Sequence, residues 1–484
     1  MNSSSPAAVI VLAAGAGTRM KSDLPKILHP MGGRSLVGHA LDAVMSLNPE
    51  HLVAVVRHQR ERVVEHLLEH HPDLVIADQD EVPGTGRAVE QGLEAIGAIH
   101  GTVVVTYGDV PLLTPETLRA LVSEHQNAQN AVTVLSANVP DATGYGRIVR
   151  DDEGLVSRIV EHKDALKIAE DTGDPTIANI TEINSGIYAF DGAILARTLA
   201  EVTTDNVQGE KYLTDVLGLA RAEGGRVATY ATEDLMEVEG VNDRTQLAAL
   251  GAELNRRITE GWMRAGVSIV DPATTWIDVD VDLAQDVTLK PNTQLHGATK
   301  IAPGAVIGPD TTLRDVIVDE DATVRRTEAT EAFIGIGANV GPFTYLRPGT
   351  VLGDSGKIGA FYETKNVKIG RGAKLSHLGY AGDAEIGENS NIGCGNITAN
   401  YDGVNKHRTV IGAEVRTGSN TVFTAPVNIG DGAYTAAGAV IRRDVPAGAL
   451  AMNAMEQRTI EDWVLDRRPD SAAAKAARAS NGKS

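Results

Sequence analysis

The stretch Trp276–Leu313, WIDVDVDLAQDVTLKPNTQLHGATKIAPGAVIGPDTTL, decides the fold of the second half of the chain. Ile277, Leu283, Leu289, Leu295, Ile301, Ile307 and Leu313 stand six residues apart in it, seven times in register. Six matches neither the 3.6-residue turn of an α-helix nor the heptad of a coiled coil. Hexapeptide spacing implies a solenoid of short parallel strands, a β-helix. One aliphatic residue per face then fills a narrow axis. The period resumes at Ile334, Val340, Leu346, Leu352 and Ile358, at Ile369 and Leu375, at Ile386 and Ile392, and at Ile411, Phe423, Ile429 and Ile441. Glycine often follows the aliphatic residue, as in Ile307-Gly308 and Ile386-Gly387, and small residues permit tight corners. Such an axis accounts for 50 glycines beside only 4% aromatic residues. The polar run Thr398–Thr409 (TANYDGVNKHRT) breaks the register and reads as an inserted surface loop, a feature often found on the binding face of a solenoid.

Outward from this stretch the pattern changes twice. Leu247, Leu250, Leu254 and Ile258 recur at i+3 and i+4 among charges, which predicts a helix over Arg244–Arg264. About 21 residues at 1.5 Å each give a rigid arm of roughly 30 Å. From Ala7 to about Val241, apolar runs alternate with helical stretches. Val9–Ala14, Leu52–Val56, Leu74–Ala77, Val103–Tyr107 and Val132–Ala137 read as buried strands, Ser35–Leu47 and Arg60–His70 as helices. The alternation predicts an α/β domain with a mostly parallel sheet covered on both faces, its ligands at the carboxyl ends of the strands. The expected organisation is residues 1–242, a linker helix 243–265, a β-helix 266–450 and an extension 451–484. The last part is rich in Ala, Ser and Lys and is expected to be disordered after about 467.

At 484 residues the prior is about three folded units. A formal charge of −20 argues against a nucleic-acid scaffold, which binds through clustered basic charge. The one cysteine, Cys394, excludes an intramolecular disulfide framework and any multi-cysteine metal site, and suits a reducing cytoplasm. No apolar run reaches the ~18–20 residues of a membrane helix. The polar start before Ala7 has neither the basic residues nor the cleavage site of a signal peptide.

The first strand runs into Leu12-Ala13-Ala14-Gly15-Ala16-Gly17-Thr18-Arg19-Met20, with Leu24-Pro25-Lys26 shortly after. Glycines there let backbone N–H groups approach phosphate oxygens, and Arg19 and Lys26 supply positive charge for a triphosphate. A dinucleotide fingerprint would need a third glycine where Met20 stands, and no Lys-Ser/Thr follows as in a P-loop. A bare glycine turn is as often structural; the added Arg and Pro-Lys make this one specific. Asp109 follows the strand Val103–Tyr107. Alone it reads more readily as a turn or cap residue than as a ligand.

The string LxxGxGTxM followed by LPK resembles the sugar-phosphate nucleotidyltransferase signature. Gln79 with Gly84-Thr85-Gly86, Tyr107-Gly108-Asp109, Gly144-Tyr145-Gly146, Glu161, Ile183-Asn184-Ser185-Gly186 and Glu239-Gly240-Val241-Asn242 extend the likeness. With the hexapeptide half, the chain from about Ala7 to Trp463 resembles the bifunctional N-acetylglucosamine-1-phosphate uridyltransferase/glucosamine-1-phosphate acetyltransferase family. That resemblance implies a Rossmann-like nucleotidyltransferase domain followed by a left-handed β-helix. It implies that Leu12, Ala13, Ala14, Gly15, Lys26, Gln79, Gly84, Thr85, Tyr107 and Gly108 bind UTP or the UDP-sugar. Gly146, Glu161 and Asn184 would hydrogen-bond the amino sugar, and Asp109 and Asn242 would hold Mg²⁺. The implied reaction is in-line attack of a sugar 1-phosphate oxygen on the α-phosphorus of UTP, assisted by Arg19 and Lys26, with release of pyrophosphate.

A second centre is expected on the solenoid. A lone histidine among thirteen is more often a surface or packing residue, but His377 sits inside the repeats, in Lys374–Asp383. Acyl transfer from a thioester to an amine needs a base of near-neutral pKa, which imidazole supplies. Glu363 is a candidate to orient it. The resemblance makes His377 the base acting on glucosamine 1-phosphate, with Arg347, Lys365, Tyr380 and Asn391 binding the sugar phosphate. It places Cys394, Asn400, Tyr401, Ser419 and Ala437 along the acetyl-CoA groove. In that family the solenoid is trimeric and the acetyl site is shared between subunits, so Thr398–Thr409 is a candidate for reaching across. Cys394 stands where alanine is expected, a buried thiol only slightly larger. Met452-Asn453-Ala454-Met455 lacks the arginine some members set against the CoA phosphate; Arg442, Arg443 and Arg458 are the candidates to replace it.

Two rival readings stand beside the bifunctional enzyme. One is a single-activity nucleotidyltransferase whose β-helix only oligomerises it; His377, Glu363, Arg347 and Lys365 argue against a passive solenoid. The other is a non-catalytic structural trimer; the Gly15–Lys26 loop with Asp109 and Asn242 argues against it.

Overall fold

The structure is a computed structural model that describes residues 5–206, 208–453 and 457–482. The chain forms two compact units. The first comprises residues 5–283 with Pro291–Thr299, the second Ala284–Lys290 with residues 300–482. This division differs from the boundary expected at 265/266, because Ile277, Leu283 and Leu295 group with the N-terminal unit.

In the first unit, strand Ala8–Leu12 is buried on both faces, as a β-branched run without alternation requires. It pairs in parallel with His51–Val56 on one side and Thr102–Tyr107 on the other. Val75–Asp78 extends the sheet beyond His51–Val56. Glu182–Asp191 lies antiparallel between Thr102–Tyr107 and Val132–Asn138. The sheet is therefore mostly parallel but mixed. Ile10 and Leu12 pack under helices Thr85–Ile96, Gly192–Glu201 and Asp215–Ala222. Val9 and Val11 pack on the other face under Leu36–Met45, Arg60–His70 and Pro115–Asn127. After Ala8–Leu12 the chain builds one side of the sheet and then returns to the other. The carboxyl ends of Ala8–Leu12 and Thr102–Tyr107 thus flank the crevice where such sheets bind ligands.

Arg244–Arg264 is helical along its whole length, with Asp243 as the capping residue. Its buried Asn255 receives the N–H of Ile277 at 3.1 Å and donates to the carbonyl of Thr275 at 2.8 Å. Among the described residues no helix is long and apolar enough to cross a membrane.

The second unit is a parallel β-helix. Three hexapeptides carry the chain once round, from Leu289 to its partner Ile307. The column continues through Val324, Val340, Ile358, Leu375 and Ile392. A second column runs Val318, Ile334, Leu352, Ile369, Ile386, Ile411 and Ile429. A third runs Leu313, Ala329, Leu346, Thr364 and Ala381. The apparent breaks in the apolar period are therefore small or hydroxyl-bearing residues that still point inward. Thr364 Oγ1 bonds Thr350 Oγ1 at 3.0 Å, and Thr435 Oγ1 bonds Thr421 Oγ1 at 2.8 Å, so these four buried hydroxyls are satisfied, whereas the buried Thr409 Oγ1 has no partner. The coil leaving Ile386 closes only at Ile411, the added length lying within the Thr398–Thr409 run, whose first and last residues belong to the flanking strands Asn396–Ala399 and Thr409–Ile411.

The expectation of a tail without order past 467 does not hold. Ala472–Ser480 is helical, and the Ser471 hydroxyl accepts from the N–H of Ala474 at 3.1 Å. Alanine's helix propensity and a serine cap favour a helix where no hydrophobic period is visible.

Leu346→Ala removes an inward side chain from the solenoid and is expected to cost about 2–5 kcal/mol. Lys368→Ala, on the exposed face between Val367 and Ile369, is expected to change stability by no more than about 0.5 kcal/mol. Urea unfolding of the β-helix unit reads both.

Candidate functional site

A cleft of about 820 Å³ opens at the crevice of the first unit. Leu12, Ala13, Ala14, Gly15, Lys26, Gln79, Gly84, Thr85, Tyr107 and Asp109 all line it. Its floor is the turn after Ala8–Leu12. Gly17 has φ +61°, and a Cβ there would lie 2.5 Å from Lys26 Cβ, so the loop folds tightly over the lysine only because glycine stands there. Met20 is buried against Met31, Leu36, Leu112, Val241 and Leu250, which anchors the far end of the loop. Across the cleft Gly84 has φ +118°, and its missing Cβ leaves room for the backbone of Lys211. The Gly86 N–H donates to the Lys211 carbonyl at 2.8 Å. Gln79 Nε2 bonds the Gly84 carbonyl at 3.2 Å.

Four charged or amide side chains converge at one edge. Lys26 Nζ forms an ion pair with Asp109 Oδ2 and stands 3.4 Å from Asn242 Oδ1. Arg19 Nη2 donates to the same Asn242 oxygen at 2.9 Å. The Val241 N–H bonds the Asp109 carbonyl at 2.9 Å, which draws Asn242 beside Asp109 from a distant part of the chain. A carboxylate oxygen and an amide oxygen thus face one cation, here the lysine ammonium. Two hard oxygen donors suit Mg²⁺, which keeps several waters and phosphate oxygens as its remaining ligands. Among the described residues no group of three or more His, Cys, Asp or Glu could hold a metal.

Tyr107 separates this edge from a second cluster. Burial pushes its phenol up, and the carboxylates of Glu161 and Asp109 push it the same way. A Cβ on Gly146 would lie 3.6 Å from both Asn184 Cβ and Glu161 Oε2, so these three residues meet. Asn184 Nδ2 donates to the Tyr188 hydroxyl at 2.7 Å. Burial raises the Glu161 carboxyl, against the opposing hydrogen bond from Thr214 Oγ1 at 3.3 Å. Gly108 stands behind the loop, its N–H on the Leu12 carbonyl at 2.9 Å. Arg57, His58, Gln59 and Glu210 also line the cleft and were not anticipated. The first three follow the carboxyl end of His51–Val56, and the rule that placed Asp109 could have found them.

On the solenoid, His377, Cys394, Ser419 and Ala437 each stand two residues past an inward residue of one column: Leu375, Ile392, Thr417 and Thr435. Successive coils therefore stack them along one corner. His377 is exposed, and so is Cys394, which corrects the expectation of a buried thiol: the corner position turns its side chain outward. Among the described residues Glu363 bonds Arg347, Oε1 to Nη1 at 2.9 Å, and not His377. Register sets Glu363 between Tyr345 and Tyr380, a different face of the same chain's coil from the histidine's corner.

Arg347, Lys365 and Tyr380 share a face, whereas Asn391 lies on another, beside Lys374 and Arg416. The Lys406 ammonium beside Lys365 holds the latter's pKa below the usual lysine range, and Arg347 adds to the effect. Lys406 was not singled out from sequence; it belongs to the insertion. There Asp402 accepts the N–H groups of Val404 and Asn405 at 2.8 and 2.7 Å and faces His407 Nε2 at 2.7 Å. Those bonds hold the Asp402 carboxyl well below its ordinary range. Asn400 donates to Asp383, and Tyr401 is exposed beside it. Arg442, Arg443 and Arg458 are all exposed, while Ala454 and Met455 lie outside the described residues.

Residues 9–175 match the family model of the MobA-like NTP transferase domain. Over 99% of its length the chain is 70% identical to the bifunctional protein GlmU of Micrococcus luteus, covering 98% of that protein. It is 56% identical to the bifunctional protein GlmU of Streptomyces coelicolor, over 99% of this chain and 98% of that one. For the bifunctional protein GlmU of Corynebacterium glutamicum the figures are 55%, 98% and 96%. With identity at this level along the full length of both halves, the chain belongs to the bifunctional GlmU family.

Proposed function

We propose that the chain carries out two consecutive transfers. It acetylates glucosamine 1-phosphate with acetyl-CoA, then transfers UMP from UTP to N-acetylglucosamine 1-phosphate and releases pyrophosphate. The product, UDP-N-acetylglucosamine, supplies cell-wall precursors such as those of peptidoglycan and lipopolysaccharide. The observation that carries the reading is full-length identity to bifunctional relatives, with a chemically furnished site in each half. We place the enzyme in the cytoplasm, where UTP and acetyl-CoA are available.

In the uridylyl half the glycine loop and Gln79, Gly84 and Thr85 cradle the nucleotide. Gly146, Glu161 and Asn184 hold the acetamido sugar, so its phosphate oxygen lies in line with the α-phosphorus. Mg²⁺, held by Asp109 and Asn242, would supply charge neutralisation on the phosphates. Lys26 and Arg19 add positive charge as the pyrophosphate leaves. No protein nucleophile takes part.

In the acetyl half His377 removes a proton from the amine of glucosamine 1-phosphate as the nitrogen attacks the thioester carbonyl. The C–S bond then breaks, and CoA leaves as the thiol. Arg347, Lys365 and Lys406 are three cations drawn together, with Glu363 paired to Arg347 and the Asp383 carboxylate near both lysines, and a sugar phosphate would add a further counter-charge. Tyr380 adds a polar contact, and Asn391, on another face, points to a site completed by a neighbouring subunit. Asn400, Tyr401, Ser419, Ala437 and the backbone near Cys394 line the acetyl-CoA path. We propose a homotrimer on the same grounds. Phe343 and Phe361 stack at 5.3 Å and 9°, both more than half exposed, and Leu378 is exposed in the next coil. A neighbouring solenoid would remove this apolar ladder from water.

Lys26→Ala and Asp109→Ala are each expected to lower uridylyl transfer by ~10²–10³-fold and to leave acetyl transfer intact. His377→Ala is expected to do the reverse, lowering acetyl transfer by about 10²–10⁴-fold. Separate assays of the two half-reactions read the split, and joint loss in any one variant would contradict the two-site reading. Lys406→Ala is expected to raise KM for glucosamine 1-phosphate more than it lowers kcat, which steady-state kinetics of acetyl transfer measures.

A further inference from the structure

Gln246 occupies the first turn of helix Arg244–Arg264. The carboxylate of Asp243 caps this turn, accepting the N–H groups of Thr245 and Gln246 at 2.8 Å each. In a capping box the Gln or Glu at the third helical position turns back to the N–H of the capping residue itself. Here Gln246 Oε1 reaches one residue further and accepts the N–H of Asn242 at 2.8 Å. A bond made only for helix stability has no need of that extra step.

Asn242 is thereby fixed from three sides. Gln246 holds its backbone N–H, Arg19 holds its side-chain Oδ1 at 2.9 Å, and the preceding Val241 N–H is bonded to the Asp109 carbonyl at 2.9 Å. The same helical turn also grips the glycine loop, since Arg244 Nε donates to the Met20 carbonyl at 3.1 Å. The helix N-terminus thus ties together two parts of the uridylyl site that sequence separates widely.

We propose that Gln246 is a positioning residue for uridylyl transfer, which sets the backbone of Asn242 so that its amide oxygen faces the cation it shares with Asp109. This rests on the reading of Asn242 as a metal ligand. Gln246 touches no reacting atom and acts only through Asn242. Partners that orient a metal ligand typically change metal affinity by about 10–100-fold, which sets the expected effect.

The test uses full-length protein with UDP-N-acetylglucosamine bound, so that no turnover occurs, and follows free Mn²⁺ by electron paramagnetic resonance. Gln246→Ala is expected to weaken Mn²⁺ binding by about tenfold. Gln246→Glu, which keeps an acceptor oxygen, is expected to restore most of the loss, and acetyl transfer by the same samples is expected to be unchanged. Gln246→Met, close in shape but without the acceptor, carries the same expectation as alanine should the alanine variant not fold. Wild-type Mn²⁺ affinity in the alanine or methionine variant, while Asn242→Ala binds weakly, would overturn the proposal. If Asn242→Ala itself binds Mn²⁺ as the wild type does, the underlying assignment of the ligand fails, and the proposal falls with it for that separate reason.

Discussion

Parallel strand pairing requires the chain to cross over completely before each new strand can be laid down, and that constraint shapes both halves of this protein. In the first unit each crossover is made largely by a helix, which covers one face of the sheet and leaves the strands buried on both sides. In the second unit the crossover is the rest of the coil: two further hexapeptides that are themselves strands. The two solutions put ligands in different places. A helix-covered sheet leaves a crevice where the order of strands reverses, beside Ala8–Leu12 and Thr102–Tyr107. A solenoid has its core filled by inward side chains and offers corners and outer faces instead, where His377 and Lys365 stand.

The electrostatics follow from that geometry. The chain carries a net charge of −20, yet cations gather at the crevice and on one face of the solenoid. At the crevice Lys26 and Arg19 are held by Asp109 and Asn242, so the cations are oriented before any nucleotide arrives. On the solenoid Arg347 is paired with Glu363 while Lys365 and Lys406 repel each other. One site is preorganised by opposite charges and the other is poised by like charges.

The hexapeptide period was legible because an inward aliphatic residue every sixth position has no other structural explanation. It faded where Ala329, Thr364, Ala381, Thr417 and Thr435 fill the axis, since a small or hydroxyl-bearing residue carries no hydrophobic signal on its own. The glycine loop and Asp109 could be placed because the carboxyl end of a buried strand is a defined location. The antiparallel strand Glu182–Asp191 was not anticipated, because strand direction depends on a long-range pairing that local pattern does not encode. Side-chain partnerships were the least legible. That Glu363 bonds Arg347, that Lys406 approaches Lys365 and that Gln246 holds Asn242 are consequences of how coils and helix turns stack.

The central claim is that one chain supports both transfers, and product analysis of the wild-type protein tests it most directly. Glucosamine 1-phosphate, acetyl-CoA, UTP and Mg²⁺ are supplied together and the products identified by mass spectrometry. The predicted result is UDP-N-acetylglucosamine with free CoA and pyrophosphate. Uridylylation of supplied N-acetylglucosamine 1-phosphate, with no acetylation of glucosamine 1-phosphate, would reduce the solenoid to a scaffold and contradict the account.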